Sequence, residues 1–330
     1  MNPISPPFAC ASLIKEIGRG AHGARALSRD SAHDLYAAML DGRVGDVELG
    51  AILIAYRIKG ETPAELAGML GAAHAHIAAI DAPAGACRPV AIPSYNGARK
   101  QPNLTPLLAM LLAREGVPVV VHGVRTDAGR VTSAEIFAAL GIDAAASAAQ
   151  AAQRLADDRL AFVPIDVLSP GMTRLLQLRA PLGVRNTTHT LVKLLDPFRV
   201  SAARPDGAVR LVNYTHPPYR DSLTGLFGAY PDIAHGDVLL ARGTEGEAVA
   251  DTRRQVQIDW LRDGRAEILV SAARREADAA APRLPASLEA AATADWIREV
   301  LMHTDRIPDA ILRQVDDIAR IARSNVSKSL

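Results

Sequence analysis

Apolar residues recur at helical spacing through roughly the first eighty positions, and short β-branched runs take over after them. Ser28 to Leu40 reads as a helix, with Ser28 as N-cap and Leu35, Ala38 and Met39 on one face. Asp41-Gly42 stops it. Val47 to Ile58 is a second, strongly apolar helix, broken at Lys59-Gly60. Thr62-Pro63-Ala64-Glu65 is a capping box with proline at the first helical position. It opens a third helix expected to run to about Ile80. Residues 1–80 are therefore expected to form a small helical domain, and 81–330 a larger one. The Asp81 to Gly85 linker, with Pro83 and Gly85, separates them.

In the second part, Val90 to Pro93, Val117 to Val121 and Ala161 to Ile165 suit buried parallel strands. Helices are expected over Leu104 to Arg114, from the capping box Thr132-Ser133-Ala134-Glu135 to Leu140, and over Ala144 to Asp157. Met172 to Leu195 reads as mostly helical. Val209 to Asn213, Asp237 to Ala241 and Ala266 to Val270 look like later strands. Helices around Ser287 to Met302 and Asp309 to Ser324 follow. Strand-helix alternation implies an α/β layer fold with a mostly parallel central sheet.

The apolar stretches are interrupted by charge or proline well short of the ~20 residues a bilayer span needs, so no membrane partner is expected. Met1 to Ala11 has no basic region ahead of an apolar run, and the expectation is a cytoplasmic chain without a secretory signal. Cys10 and Cys87 form no zinc-type spacing, and no metal or cofactor is expected. The net charge of +1 hides an asymmetry: Arg88 to Arg220 holds 16 Lys and Arg against 9 Asp and Glu. A basic middle between acidic flanks can attract an anion. On charge alone, ordinary solvated surface is the simpler account.

Three segments carry a resemblance. The first is Ala51-Ile52-Leu53-Ile54-Ala55-Tyr56-Arg57-Ile58-Lys59-Gly60-Glu61-Thr62, followed by Glu65 and Ala67-Gly68. The second is His122-Gly123 at a strand end, continuing through Arg125, Arg130 and Glu135 to Leu140-Gly141. The third is Arg179-Ala180-Pro181-Leu182-Gly183-Val184-Arg185-Asn186, ending at Asp196-Pro197. In this order they resemble the anthranilate phosphoribosyltransferase superfamily. The resemblance implies a nucleoside phosphorylase/phosphoribosyltransferase-like fold and a homodimer formed through the helical domain. It also implies that part of the 170–200 segment packs on that domain.

The departures bear on chemistry. Where that family has a Gly-Thr-Gly-Gly-Asp phosphate loop, this chain has Pro93-Ser94-Tyr95-Asn96-Gly97. Proline donates no N–H, and Tyr95 replaces a glycine. Asn103 survives, but Val121 and Val124 flank His122-Gly123 in place of a lysine and an asparagine. The family's adjacent Asp-Glu pair becomes Gly243-Thr244-Glu245-Gly246-Glu247. This pattern is similar to the YbiB-type branch of the superfamily, and that resemblance implies DNA or RNA binding with little sequence preference. The residues expected to meet the phosphate backbone are Arg99, Lys100, Arg125, Arg130, Arg179, Arg185, Lys193 and Arg199. Asn103, His122 and Gly123 are expected remnants of a donor site, and no catalytic residue is assigned. A glycosyl- or phosphoribosyltransferase with an unusual substrate is the alternative.

Each candidate also has a bland account. His122 reads more simply as a structural histidine bonded to nearby backbone. Arg179 and Arg185 could equally pair with Asp196 and other acids. Glu245 and Glu247 read as exposed turn charges rather than metal ligands. Tyr95 could stack on a base, on a weak signal. His74 and His76, two apart on a helix, point to different faces and share no metal.

Overall fold

The structure is a computed structural model, and it describes residues 6–20, 22–85, 87–199, 206–274 and 282–324. Four helices open the chain: α1 (Ala11–Ile17), α2 (Arg29–Leu40), α3 (Asp46–Lys59) and α4 (Pro63–Ala75). Ser28 caps α2 by accepting the Ser31 N–H, and the Thr62–Glu65 capping box starts α4. Glu65 is fully buried, and its carboxylate also accepts the Leu27 N–H at 2.9 Å and Lys59 Nζ at 2.7 Å. One buried acid thus joins the start of α4 to the ends of two other segments. The pattern missed α1, and α4 stops at Ala75 instead of reaching Ile80. The His76 N–H bonds back to the Ala73 carbonyl there, and Ile80 forms a parallel bridge with Phe198.

Among the described residues the sheet has seven strands: β1 (Val90–Ser94), β2 (Val119–Gly123), β3 (Leu160–Pro164), β4 (Ala208–Tyr214), β5 (Gly236–Arg242), β6 (Ile258–Arg262) and β7 (Arg265–Val270). Their order is β3-β2-β1-β4-β5-β6-β7. The first five are parallel, and β6 and β7 are antiparallel. The expected strands are present within a residue or two. The pattern missed β6, whose Asp259 is buried and paired with Arg220. An acid in the middle of IDWLR hides the apolar run.

Helices cover both faces. α5 (Thr105–Arg114), α6 (Ser133–Ala139), α13 (Ala290–Met302) and α14 (Asp309–Arg323) share a core with Val90, Ile92, Val119, Val121 and Val209. The opening helices, α7 (Ala148–Asp157) and α12 (Pro217–Ala229) share another with Ala91, Val120, Ala161, Val163 and Val212. Alternate residues of each strand therefore serve different cores, as a pleated sheet requires. The segment expected to be mostly helical from Met172 to Leu195 is instead a run of short pieces. After α8 (Ile165–Leu168), which directly follows β3, these are α9 (Pro170–Gln177), α10 (Arg179–Leu182) and α11 (Thr188–Leu191). Gly183, in the left-handed region with φ of 71°, ends α10, and Pro170 can only start a helix. This connector binds the bundle through Tyr36 Oη with Thr188 Oγ1 at 3.0 Å, and Thr187 Oγ1 donates to Glu61. Arg210, buried in β4, donates to the carbonyls of Leu194, Ala234 and Ile233 and lies over the Phe227 ring.

Among the described residues no helix is long and apolar enough to cross a membrane.

Candidate functional site

Strand order reverses between β1 and β4, and in an open parallel sheet the crevice beyond the carboxyl ends of such strands is where ligands bind. The loop after β1 lies there. Its first residue, Tyr95, is buried, and its hydroxyl meets His122 Nδ1 at 2.8 Å, with the rings edge to face. His122 is fully buried, and burial pushes its pKa down to about 3, with Arg210 adding to the effect. It is a neutral structural histidine whose partner is a side chain, not the expected backbone. Tyr95 cannot stack on a base, because its ring is inside the protein. Gly123 is a packing glycine: a Cβ there would overlap the Ser94 carbonyl of the neighbouring strand.

Asn103 is used structurally too. Its amide donates to Ser133 Oγ at 3.1 Å, and its oxygen accepts the Thr105 N–H at 3.1 Å, which starts α5. Ser133 in turn meets Ser94 at 2.7 Å.

The segment Gly243 to Glu247 holds the largest surprise. Glu247 is buried at 1% exposure, which corrects the expectation of exposed turn charges. Its Oε1 accepts the N–H groups of Asn96 at 2.9 Å and Gly97 at 2.7 Å. Glu245 accepts the N–H groups of Arg99 at 3.3 Å, Lys100 at 2.8 Å and Gln101 at 2.8 Å. Burial raises the Glu247 pKa, against the pull of Ser94, of the Asn96 and Gly97 N–H groups and of Lys193. Among the described residues no cluster of three or more His, Cys, Asp or Glu is placed to hold a metal ion.

Around this loop the cations gather. Arg130 Nη1 donates to the Gly97 carbonyl at 3.2 Å, and Arg185 Nη1 to Asn96 Oδ1 at 3.3 Å. Burial lowers the Arg185 pKa, and Arg179, Arg130 and Arg57 push the same way against Asp127. Burial also brings Lys193 down to about 8, with Glu247 opposing and Arg185 and Arg130 assisting. His189 falls to about 4 through burial and the nearby Arg185. Arg185 of the connector is thus the meeting point of cations from three parts of the chain: Arg57 of α3, Arg130 after β2, and Arg179 and Lys193 of the connector itself. Arg179 has one acid, Asp127, at 3.6 Å. Asp196, an expected partner of Arg179 or Arg185, is buried elsewhere: burial raises its pKa to about 6, and the cation that opposes the rise is Arg210.

Two expected residues stand apart from this cluster. Arg125 is paired with Asp166 at 3.0 Å, and Arg199 with Asp81 at 2.8 Å. Arg99 and Lys100 are exposed, and neither side chain has an ion pair among the described residues. Sequence reasoning missed Arg57 and His189. Arg57 stood in the first matched segment, but nothing in a helical pattern says which domain its guanidinium faces.

Comparison with known proteins agrees with this architecture. A sequence profile described as "Glycosyl transferase family, helical bundle domain" matches residues 11–77. The uncharacterized protein YbiB of Escherichia coli K12 is 42% identical over 303 residues, covering 92% of this chain and 91% of that protein. Anthranilate phosphoribosyltransferase 2 of Ralstonia nicotianae is 31% identical over 188 residues, 57% of this chain and 54% of that one. Among solved structures, anthranilate phosphoribosyltransferase of Thermus thermophilus superposes with a TM-score of 0.73 at 22% identity, covering 94% of this chain and 88% of that one. The Saccharomyces cerevisiae enzyme in complex with PRPP and Mg gives 0.68 at 15% identity, covering 94% and 88%. The chain belongs to the anthranilate phosphoribosyltransferase superfamily and, within it, to the YbiB-like branch.

Proposed function

We propose that the seam between the helical bundle and the carboxyl edge of the sheet binds the phosphate backbone of DNA or RNA with little sequence preference. One observation carries this reading. Arg130 and Arg185 both hydrogen-bond the loop after β1, Arg179, Arg130 and Arg57 all repel Arg185, and Arg185 and Arg130 repel Lys193, with Asp127 and Glu247 as the acids acting on Arg185 and Lys193. Such a cluster favours a polyanion, whose condensed counterions are released on binding. The backbone donors that would grip a small phosphate are engaged by Glu245 and Glu247, which argues against phosphoribosyl transfer at this loop.

The protein in this reading is a homodimer joined through the bundle. Support comes from α3, where Val47 at 85%, Ile58 at 66%, Ile54 and Ala51 are exposed at positions 47, 51, 54 and 58. That spacing is one face of a helix, and an apolar stripe in water is a contact surface awaiting a partner.

The test is fluorescence anisotropy of labelled single- and double-stranded oligonucleotides at a series of salt concentrations. Log affinity should fall linearly with log salt, by about 0.9 per phosphate contact on duplex DNA. R185E combined with R130E should weaken binding and flatten that slope. The competitor phosphoribosyl pyrophosphate with Mg²⁺ should not displace the oligonucleotide. Absence of binding at low salt, or displacement by the competitor, rejects the reading.

A further inference from the structure

Consecutive backbone N–H groups that point into one concavity form an anion site regardless of which anion fills it. Residues 96–101 make two such seats side by side. Asn96 and Gly97 converge on one oxygen of Glu247, and Arg99, Lys100 and Gln101 converge on Glu245. Gly97 has a φ of 61°, the conformation that lets neighbouring N–H groups face the same way. Cations line the rim, since Arg130 and Arg185 both hold this loop by hydrogen bonds.

The segment that carries the two acids is built to reach in. Thr244 and Glu247 close a tight turn by exchanging N–H and carbonyl bonds at 3.0 and 2.9 Å. Glu245 sits in the left-handed region at φ 53°, a conformation unfavourable for a residue with a side chain. Gly246 passes so near Asn96 that any side chain would overlap its amide, and that amide donates to the Glu245 carbonyl at 3.1 Å. A strained turn, a glycine at the crossing point and two carboxylates each on backbone donors describe a fitted occupant.

We propose that Glu245 and Glu247 are an internal anion, filling a two-seat phosphate site and holding it shut. With both carboxylates removed, the chain binds inorganic pyrophosphate. The inference is independent of the nucleic-acid reading, because the probe has neither base nor sugar and the basic cluster is left intact.

The experiment is isothermal titration calorimetry of inorganic pyrophosphate, without metal, against the full chain and the variants E245A/E247A and E245Q/E247Q. Far-UV circular dichroism and a cooperative melt establish that each variant is folded. The alanine pair should bind pyrophosphate about tenfold or more tighter than the wild-type chain, the gain expected from vacated charge-assisted seats. The glutamine pair should stay with the wild type, because its amides keep the seats filled. If the alanine pair does not fold, E245A alone decides, with inorganic phosphate as probe for the seat of residues 99–101. A folded alanine variant that binds no better than wild type overturns the proposal. So does a glutamine pair that binds as well as the alanine pair, since loss of negative charge would then explain both.

Discussion

Burial and the neighbouring guanidiniums bring Lys193 down to about 8, so its charge is in play near neutral pH while those of the arginines are fixed. The sign follows directly. Lys193 is charged below its pKa and loses its proton as pH rises through about 8, so polyanion affinity should fall between about pH 7 and 9. The loss should amount to about one phosphate contact in the salt slope. K193R keeps the charge and should flatten the pH profile. Anisotropy titrations across that range check it, and a wild-type affinity that is level over the interval would count against a role for Lys193. Residue types at this site could be read in advance: Arg130, Arg185 and Lys193 were identifiable as basic residues in the matched segments. Their convergence could not, because it depends on how the connector folds back. The inward turn of Glu247 was equally hidden, since a carboxylate in a glycine-rich turn carries no mark of the N–H groups it will meet.

Among the elements, α2 and α4 pack most intimately, and Gly68 is the reason. A Cβ at Gly68 would overlap the Arg29 carbonyl and lie 2.9 Å from the His33 backbone nitrogen, so the two backbones approach as only a glycine allows. G68A should therefore cost about 1–3 kcal/mol, the usual range for overpacking. Urea denaturation followed by circular dichroism measures this, and a variant as stable as wild type would mean that the helices separate freely. The capping boxes at Thr62 and Thr132 were legible because they are local in sequence, and both form as expected. The connector was not, because apolar residues at helical spacing outweighed the prolines and Gly183 that divide it. The pattern also missed α12, which Pro217 and Pro218 open, as proline suits a helix start.

The whole molecule draws several histidines inward. Burial holds His122 at about 3, His189 and His235 at about 4, and His74 well below 6.5. In the unfolded chain they take up protons near 6.5, so acidification below that value stabilises the unfolded state alone. The fully buried His122 withdraws up to about 1.4 kcal/mol per pH unit over that window, and the others add smaller amounts. Asp196, raised to about 6 by burial, works oppositely: folding favours its protonated form, so its contribution improves as pH falls from about 6 toward 3.8. Glu247, also raised by burial, works the same way, and two carboxyls against four histidines still leave a net loss. The melting temperature should drop steadily from about pH 6.5 to 4.5, as differential scanning fluorimetry can follow, and a level or rising curve would show that these rings are not held neutral. The α/β layering and the mostly parallel sheet were legible from alternation alone. The reversal between β1 and β4 was not, because it is decided by which edge of the sheet remains open when β4 arrives. That reversal has a consequence in time. β1 pairs with β2 after a single helix, but Val90 meets Val209 only after the whole connector is in place, and Glu247 reaches Gly97 across 150 residues. Contacts so distant along the chain bear the closure entropy of everything between them. The N–H groups of the loop after β1 therefore gain their carboxylate partner only when that 150-residue closure is made.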